Sequence, residues 1–205
     1  MAVDPEEPEE IVKATRRWLE KAVIGLNLCP FAKPVHARDQ IRYVVTEAET
    51  PEELLADLID ELQTLAAAEP EEIETTLLIH PRVLNDFLDY NDFLGVAEET
   101  VADLGLEGVL QIASFHPGYQ FAGTEPDDVT NYTNRSPYPT LHLLREASVE
   151  KAVATVPDTA EIYERNMETL RRLGVEGWRR LGVEGNQGPK GLQGRQGRQG
   201  QKRRP

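Results

Sequence analysis

Short β-branched runs alternate along this chain with longer stretches in which apolar residues recur every three or four positions. The short runs at residues 41–47, 75–79 and 109–115 predict three strands, because such residues fit a pleated, half-buried surface. The order strand, helix, strand, helix, strand favours an α/β fold. We expect a small, mostly parallel sheet of three or more strands with helices packed on it. An α+β sandwich, with the sheet covered on one side, is the alternative.

Helical spacing of apolar residues predicts a first helix that starts at Ile11 and ends before Pro30. A second helix is predicted after Thr50-Pro51-Glu52-Glu53, since Thr50 and Glu53 can form a capping box. The stretch from Val83 to Gly105 is typical of a helix that breaks near Gly95.

The last third of the chain predicts three more helices. These are a short helix at residues 141–146, one after Ser148, and a final helix that Asp158 and Glu161 start with a capping box. After the long loop, Pro137 and Pro139 are expected to prevent regular structure until about Thr140.

A length of 205 residues suits a single domain with tails. We predict a disordered acidic segment at residues 1–10, one globular domain at 11–181, and a tail at 182–205. The segment RRLGVEG occurs twice, beginning at Arg171 and at Arg179, and glycine then falls at every third position from Gly182 to Gly200. This is the period of collagen, but the short basic tail is expected to be disordered.

The formal net charge is −14, from 22 basic and 36 acidic residues, and six of the basic residues lie after Gly185. A body this acidic repels nucleic acid and anionic membranes, so a nucleic-acid partner is expected only through the tail. No apolar run approaches the ~18 residues that span a bilayer, and no membrane partner is expected. The acidic N-terminus and the lone cysteine, Cys29, favour a reduced, cytoplasmic setting.

Two of the four histidines, His80 and His116, directly follow predicted strands and precede proline. The carboxyl ends of parallel strands meet at one edge of a sheet, where ligands bind in open α/β folds. Together with His142, these imidazoles are candidate ligands for Zn or Fe. The alternative is that His-Pro pairs are ordinary strand exits.

Acid–base chemistry is a second interpretation of the same residues. His116 and His80 are candidate general acid–base groups, because imidazole titrates near neutral pH. Cys29 is a candidate nucleophile if a nearby histidine lowers the pKa of its thiol. The alternative for Cys29 is a small buried apolar group.

The loop after the third strand carries polar groups suited to holding a small anionic molecule. Arg135 is a forked donor for carboxylate or phosphate, and further contacts are expected from Asn131, Asn134, Ser136 and Tyr119. The alternative is a loop fastened by its own hydrogen bonds, with Arg135 paired to a distant glutamate.

Six segments resemble a bacterial family, the domain-of-unknown-function family 1415, over roughly residues 11–173. They are NLCPFA, LLIHP, DFLDYNDFL, LQIASFHPGYQFAG, NYTNRSPYPTLHLLRE and ERNMETLRRLG. The resemblance implies that the candidate site residues lie in family motifs, namely Cys29, His80, His116, Asn134, Arg135 and His142. It implies no activity, and the doubled segment and glycine-rich tail look like additions to the family pattern.

These observations lead to one principal functional hypothesis, a cytoplasmic enzyme acting on a small anionic metabolite through histidine and cysteine. The alternative is a non-catalytic module that binds a ligand or peptide, with structural histidines. Assembly through the tail is a third possibility.

Overall fold

A computed structural model describes residues 7–153 and 159–185, and in that part of the chain four strands form one open sheet. The strands lie in the order β1-β2-β4-β3, with bounds Ile41–Val45 for β1, Thr75–Ile79 for β2, Leu110–Phe115 for β3 and Thr140–Arg145 for β4. β1 pairs with β2 in parallel, whereas β4 is antiparallel to both β2 and β3. Three strands therefore share one direction. The predicted α/β fold is confirmed, and the sheet is mixed, with one parallel and two antiparallel pairs.

Helices connect the strands and cover both faces of the sheet. Their bounds are α1 Pro8–Trp18, which continues as a π-helix at Leu19–Ile24, α2 Ala32–Ala37, α3 Pro51–Ala67, α4 Phe87–Asp103, α5 Glu146–Val153 and α6 Thr159–Leu181. A short 3-10 helix, Val129–Thr133, lies in the long loop. None of the helices within residues 7–153 and 159–185 is both long and apolar enough to cross a bilayer.

The two faces of the sheet have separate apolar cores. On one face, leucines of α3 and the side chains of Tyr90 and Phe93 from α4 pack on Leu78, Leu141 and Leu143. On the other face, the packing helices are α1 with its π-helical extension and α6. Alternate residues of each strand therefore belong to different cores, as expected for a sheet between two helical layers.

Local signals set the start of two helices. The predicted capping box of α3 is present, since the Thr50 hydroxyl accepts a bond from the Glu53 N–H and the Glu53 carboxylate accepts one from the Thr50 N–H. Helix α1 begins at Pro8, three residues inside the segment predicted to be disordered, because proline fits the first helical position. Residues 1–6 lie outside the described part of the chain.

The segment predicted as a short helix at residues 141–146 is instead strand β4. It pairs residue by residue with β2 and β3, with Leu141 opposite Leu78 and Ser114. The prediction was wrong because its apolar positions fit both periods, and the hydrogen-bonding partners that select a strand are distant in sequence.

Helix α4 begins at Phe87, later than predicted, and runs through Gly95 without a break. Asp86 caps its first turn by accepting bonds from the backbone N–H groups of Leu88 and Asp89. Val83 and Leu84 therefore belong to the loop that leads from β2 to α4.

The final helix carries the first copy of the duplicated segment and part of the second. α6 is kinked at Gly174, where φ is +66°, and ends before Gly182, where φ is +62°. Val183 is buried in the core beside Trp178, so the described chain stays packed beyond the predicted boundary at residue 182. The capping box predicted at Asp158 and Glu161, and the tail after Gly185, lie outside the residues whose side chains are described.

Candidate functional site

His80 and His116 lie at the same edge of the sheet, where β2 and β3 end. β4 starts between them, since Thr140 pairs with both Ile79 and Phe115. Both imidazole rings pack on the ring of Tyr90, with centroid distances of 5.6 Å for His80 and 5.0 Å for His116. The structure therefore brings these two predicted residues together, with Tyr90 of α4 in contact with both.

Each histidine binds one carbonyl of the loop between β2 and α4. Nδ1 of His80 lies 3.0 Å from the Val83 oxygen, and Nε2 of His116 lies 3.1 Å from the Leu84 oxygen. A carbonyl can only accept, so each of these nitrogens carries the proton. The Gly118 N–H donates to the remaining nitrogen of His116 over 2.9 Å. Leu84 has a φ of +55°, which L-residues rarely adopt, and His116 bonds to its carbonyl while His80 bonds to that of the preceding residue, Val83.

Burial keeps both rings neutral. His80 is fully buried and His116 is 2% exposed, and desolvation lowers the pKa of each to about 4. At neutral pH they act as hydrogen-bonding groups. Nε2 of His80 is a buried acceptor for which the described structure offers no partner.

The Tyr90 hydroxyl bonds to both residues of the last pair of the ladder between β3 and β4, Phe115 and Thr140. It donates to the Thr140 oxygen over 2.9 Å and accepts from the Phe115 N–H over 3.2 Å. Burial raises the pKa of this phenol, so it keeps the proton that it donates. Sequence patterns did not single out Tyr90, which lies three residues from Phe87 and from Phe93 on α4.

The predicted anion-binding residues are used to build their own loop. Arg135 donates from Nε to the Tyr119 oxygen over 3.1 Å and from a terminal nitrogen to the Pro126 oxygen over 2.7 Å. Its guanidinium also lies 4.5 Å from the centre of the Tyr132 ring. The fork expected to face a ligand is therefore bonded to carbonyls of the loop, not to a distant glutamate.

The side chains of Asn131, Asn134 and Ser136 also form hydrogen bonds within the protein. Asn131 is fully buried, and its oxygen accepts from the Phe121 N–H and the Thr124 hydroxyl while its amide donates to the Glu125 oxygen. The Asn134 amide donates to the Ser114 oxygen, and the Ser136 hydroxyl donates to the Tyr138 oxygen. The observed contacts correspond to the alternative stated for this loop, in which its own hydrogen bonds fasten it.

His142 and Cys29 lie on the other side of the sheet from His80 and His116. His142 lies 5.9 Å from the Phe115 ring and bonds to the Thr75 hydroxyl over 2.8 Å, and its neighbours Leu141 and Leu143 face α3 and α4. Cys29 packs in the core of α1 and α6. Successive residues of a strand face opposite sides of the sheet, so His142, between Leu141 and Leu143, points away from the side on which His80 and His116 lie. The predicted metal ligand set of His80, His116 and His142 is therefore not assembled.

Within the described ranges, no group of three or more His, Cys, Asp or Glu side chains is arranged to hold a metal ion. The thiol of Cys29 also lacks the environment expected of a nucleophile, since burial raises its pKa and outweighs the backbone N–H groups of Phe31 and Ala32 that lower it. In the described part of the chain, the predicted ligands thus form no three-residue cluster, and the pKa of the Cys29 thiol is raised, not lowered.

One lateral edge of the sheet carries a feature that sequence patterns did not identify, the open edge of β1. The Thr75 N–H donates to the Gln40 oxygen and the Thr46 N–H donates to the Ile79 oxygen, so even-numbered residues of this strand bond to β2. The backbone groups of Ile41, Tyr43 and Val45 therefore point away from the sheet. No hydrogen bond from the described residues reaches them. We call these groups the β1 edge.

Two depressions flank the β1 edge, one on each face of the sheet, and both include Val45. The acidic depression has a volume of about 550 Å³ and lies on the α3 side. Its lining includes Val44, Thr46, Ala48 and five acids, Glu47, Glu53, Asp57, Asp60 and Glu61. The apolar depression, of about 430 Å³, lies on the α1 side and is lined by Pro8, Val12, Tyr43 and Val45 with Glu9, Lys13 and Arg16.

Local sequence signals identify β1 as a strand but not as an edge. Its pattern of Ile41, Tyr43 and Val45 with Arg42 between them is typical of a strand with one more polar face. The edge position depends on which strands pair, and that is set by the crossovers and by β4.

The fold defines an α/β domain with an open mixed sheet, in which the β1 edge has no hydrogen-bond partner among the described residues. The chain belongs to the family described as a protein of unknown function, DUF1415, whose model matches residues 10–180. No curated protein and no solved structure matches the chain.

Proposed function

We propose that this domain is a non-catalytic binding module that takes an extended peptide as an additional strand on the β1 edge. One observation carries the proposal: the outward backbone groups of Ile41, Tyr43 and Val45 have no hydrogen-bond partner in the described part of the chain and lie between two depressions. An unpaired edge is a template for another strand, and its main-chain bonds supply affinity while flanking pockets supply selectivity.

The residues expected to perform chemistry support a scaffold role. His116 has both ring nitrogens bonded to backbone groups, and Arg135 and Asn131 fasten the loop after β3. A substrate that bound these bonded groups would have to compete with contacts that already hold the loops in place. These contacts favour the hypothesis of a binding module with structural histidines over the hypothesis of an enzyme.

Amide hydrogen exchange of the full chain tests the proposal, with a pool of randomised eight-residue peptides as the probe. We expect slow exchange at Ile41, Tyr43 and Val45 only when peptide is present, because a paired N–H exchanges slowly. Val45→Pro removes one outward N–H that β2 does not use, and it should weaken this protection. Val45→Thr keeps the N–H and the β-branched shape and should bind as wild type does. Unchanged exchange at all three amides contradicts the proposal.

A second proposal, the cytoplasmic enzyme acting on a small anionic molecule, is favoured by one observation, the unpartnered Nε2 of the buried His80. Such a nitrogen could accept a proton or a hydrogen bond from a substrate. The ¹⁵N chemical shift of His80 Nε2, followed while small phosphates and carboxylates are added, tests it. A saturable shift supports this proposal, and a constant shift across the panel argues against it.

A further inference from the structure

We infer that the partner of the β1 edge is an extended segment in which basic and apolar residues alternate, bound as a fifth strand of the sheet. The inference rests on the proposed binding function and names the chemistry of the occupant. It follows from the two faces of β1, the unlike depressions that flank them, and the charge of each.

The alternation follows from strand geometry. Along β1, Arg42 and Val44 face α3, whereas Tyr43 and Val45 face α1. A strand added beside β1 continues the same pleat, so its successive side chains also point to opposite faces. Every second residue of the partner would then lie over the acidic depression, and the residues between them over the apolar depression.

The acidic depression requires positive charge from its occupant. No Lys or Arg is among the described residues that line it. The nearby Arg42 is already neutralised, since its guanidinium donates two bonds to the Glu61 carboxylate, over 2.8 and 2.9 Å. Glu47 and Asp60 have no ion pair within the described ranges. Lysine or arginine side chains of the partner would meet these carboxylates.

The apolar depression selects a different kind of side chain. Pro8 and Val12 of α1 face Tyr43 and Val45 across it. The Arg16 guanidinium lies 4.3 Å from the centre of the Tyr43 ring, so this ring already makes a cation–π contact within the domain. Burial also raises the pKa of the Tyr43 phenol to about 12, so the phenol itself stays uncharged. An aliphatic side chain of the partner would bury apolar surface here.

Charge argues against two other occupants of the β1 edge. A second copy of the chain, paired through its own β1, would place one acidic depression beside another, and like charges repel. The basic tail after Gly185 supplies charge, but Leu192 is its only aliphatic residue apart from prolines, so it lacks the alternation. A heterologous segment remains the occupant that both depressions fit.

Three synthetic octapeptides test the inference against the full-length protein. The first alternates Lys and Val, the second has four Lys followed by four Val, and the third alternates Glu and Val. Affinity is measured by fluorescence anisotropy at low salt, and pairing by amide exchange at Ile41, Tyr43 and Val45. We expect the Lys-Val alternation to bind about tenfold or more tightly than either other peptide and to protect the three amides.

Charge reversal supplies a matched control. Glu47→Lys with Asp60→Lys changes two exposed residues of the acidic depression and should shift the preference toward the Glu-Val peptide. Asp92→Lys with Glu99→Lys makes the same change in net charge on the exposed face of α4 and should leave the preference unchanged.

The outcomes separate this inference from the proposed function. If all three peptides protect the β1 amides equally, the binding function stands and the alternation is wrong. If the β1 amides stay unprotected with the randomised pool and with every peptide, both fail. A preference that moves equally with both double variants reflects net charge alone and also overturns the inference.

Discussion

At the scale of single residues, the two histidines at the strand ends form hydrogen bonds with backbone groups of neighbouring loops. His80 binds the Val83 carbonyl, and His116 binds the Leu84 carbonyl and the Gly118 N–H. The pattern His-Pro predicted their place at the sheet edge. It could not predict their bonds, because these depend on a loop whose path is fixed by the later helix α4.

The pH dependence of stability should reveal the neutral state of these rings. Their folded pKa values of about 4 lie below the ordinary 6.5, so the unfolded chain binds protons that the folded chain does not. The contribution of the neutral rings to the free energy of unfolding is therefore fully present above pH 6.5. It is lost as the pH decreases toward 4, by up to about 1.4 kcal/mol per pH unit for each histidine. Urea unfolding at pH 7, 6 and 5 measures this slope.

Substitution of one ring should reduce that slope. His116→Gln removes one titrating group, and we expect a shallower decline of the free energy of unfolding with falling pH. Tyr90→Phe serves as the control, because it destabilises the same edge without removing a histidine and should keep the wild-type slope. Equal slopes for wild type and His116→Gln would show that His116 titrates normally in the folded state.

Tyr90→Phe itself tests the hydroxyl between β3 and β4. Loss of the hydroxyl leaves the Phe115 N–H and the Thr140 carbonyl without their partner, which should lower the free energy of unfolding by about 1–3 kcal/mol. Chemical denaturation followed by circular dichroism measures the change. Tyr163→Phe, at a ring that is 45% exposed, should change stability by less than about 0.5 kcal/mol. A loss as small at position 90 would mean that the strands close the gap themselves.

At the scale of elements, the sequence predicted the parts whose signals are local. Strands β1, β2 and β3 and the start of α3 were identified because β-branched runs and the Thr50–Glu53 box act over a few residues. β4 was missed because LHLLR fits a helix as well as a strand, and its partners β2 and β3 decide between them. The position of β1 at the edge of the sheet also depends on pairing between distant segments, so local sequence signals did not predict it.

The capping box of α3 gives a prediction at this scale. Thr50→Ala removes the acceptor of the Glu53 N–H and should lower the free energy of unfolding by about 0.5–2 kcal/mol. Thr50→Ser preserves the hydroxyl and should stay close to wild type. Thermal and urea unfolding of the three proteins measures the difference, and an alanine variant as stable as the serine variant would show that water replaces the cap.

At the scale of the whole molecule, one side of the sheet depends on the C-terminal helix for its cover. Trp178 of α6 is 2% exposed, and its ring lies 5.0 Å from that of Tyr132 in the long loop. Trp18 joins the same core and packs against Phe115 of β3. The loop, the sheet and both terminal helices thus meet in one cluster, which no single stretch of sequence predicts.

Removal of Trp178 should therefore destabilise the whole domain. Trp178→Ala takes a large buried side chain from this core, and we expect a loss of about 3–5 kcal/mol in the free energy of unfolding. Leu88→Ala, at a side chain that is 70% exposed, is the surface control and should cost little. Urea unfolding followed by far-ultraviolet circular dichroism compares them, and a loss at position 178 as small as the control would show that α6 packs independently of the sheet.

The duplicated RRLGVEG segment shows that the end of α6 is not set by local sequence alone. The equivalent glycine of each copy, Gly174 and Gly182, has a positive φ, of +66° and +62°, yet the helix resumes after the first copy and ends at the second. The same seven residues thus continue a helix in one place and end it in another. The surroundings that differ between the two copies, among them the core that buries Trp178 and Val183, therefore determine where the chain leaves the helix.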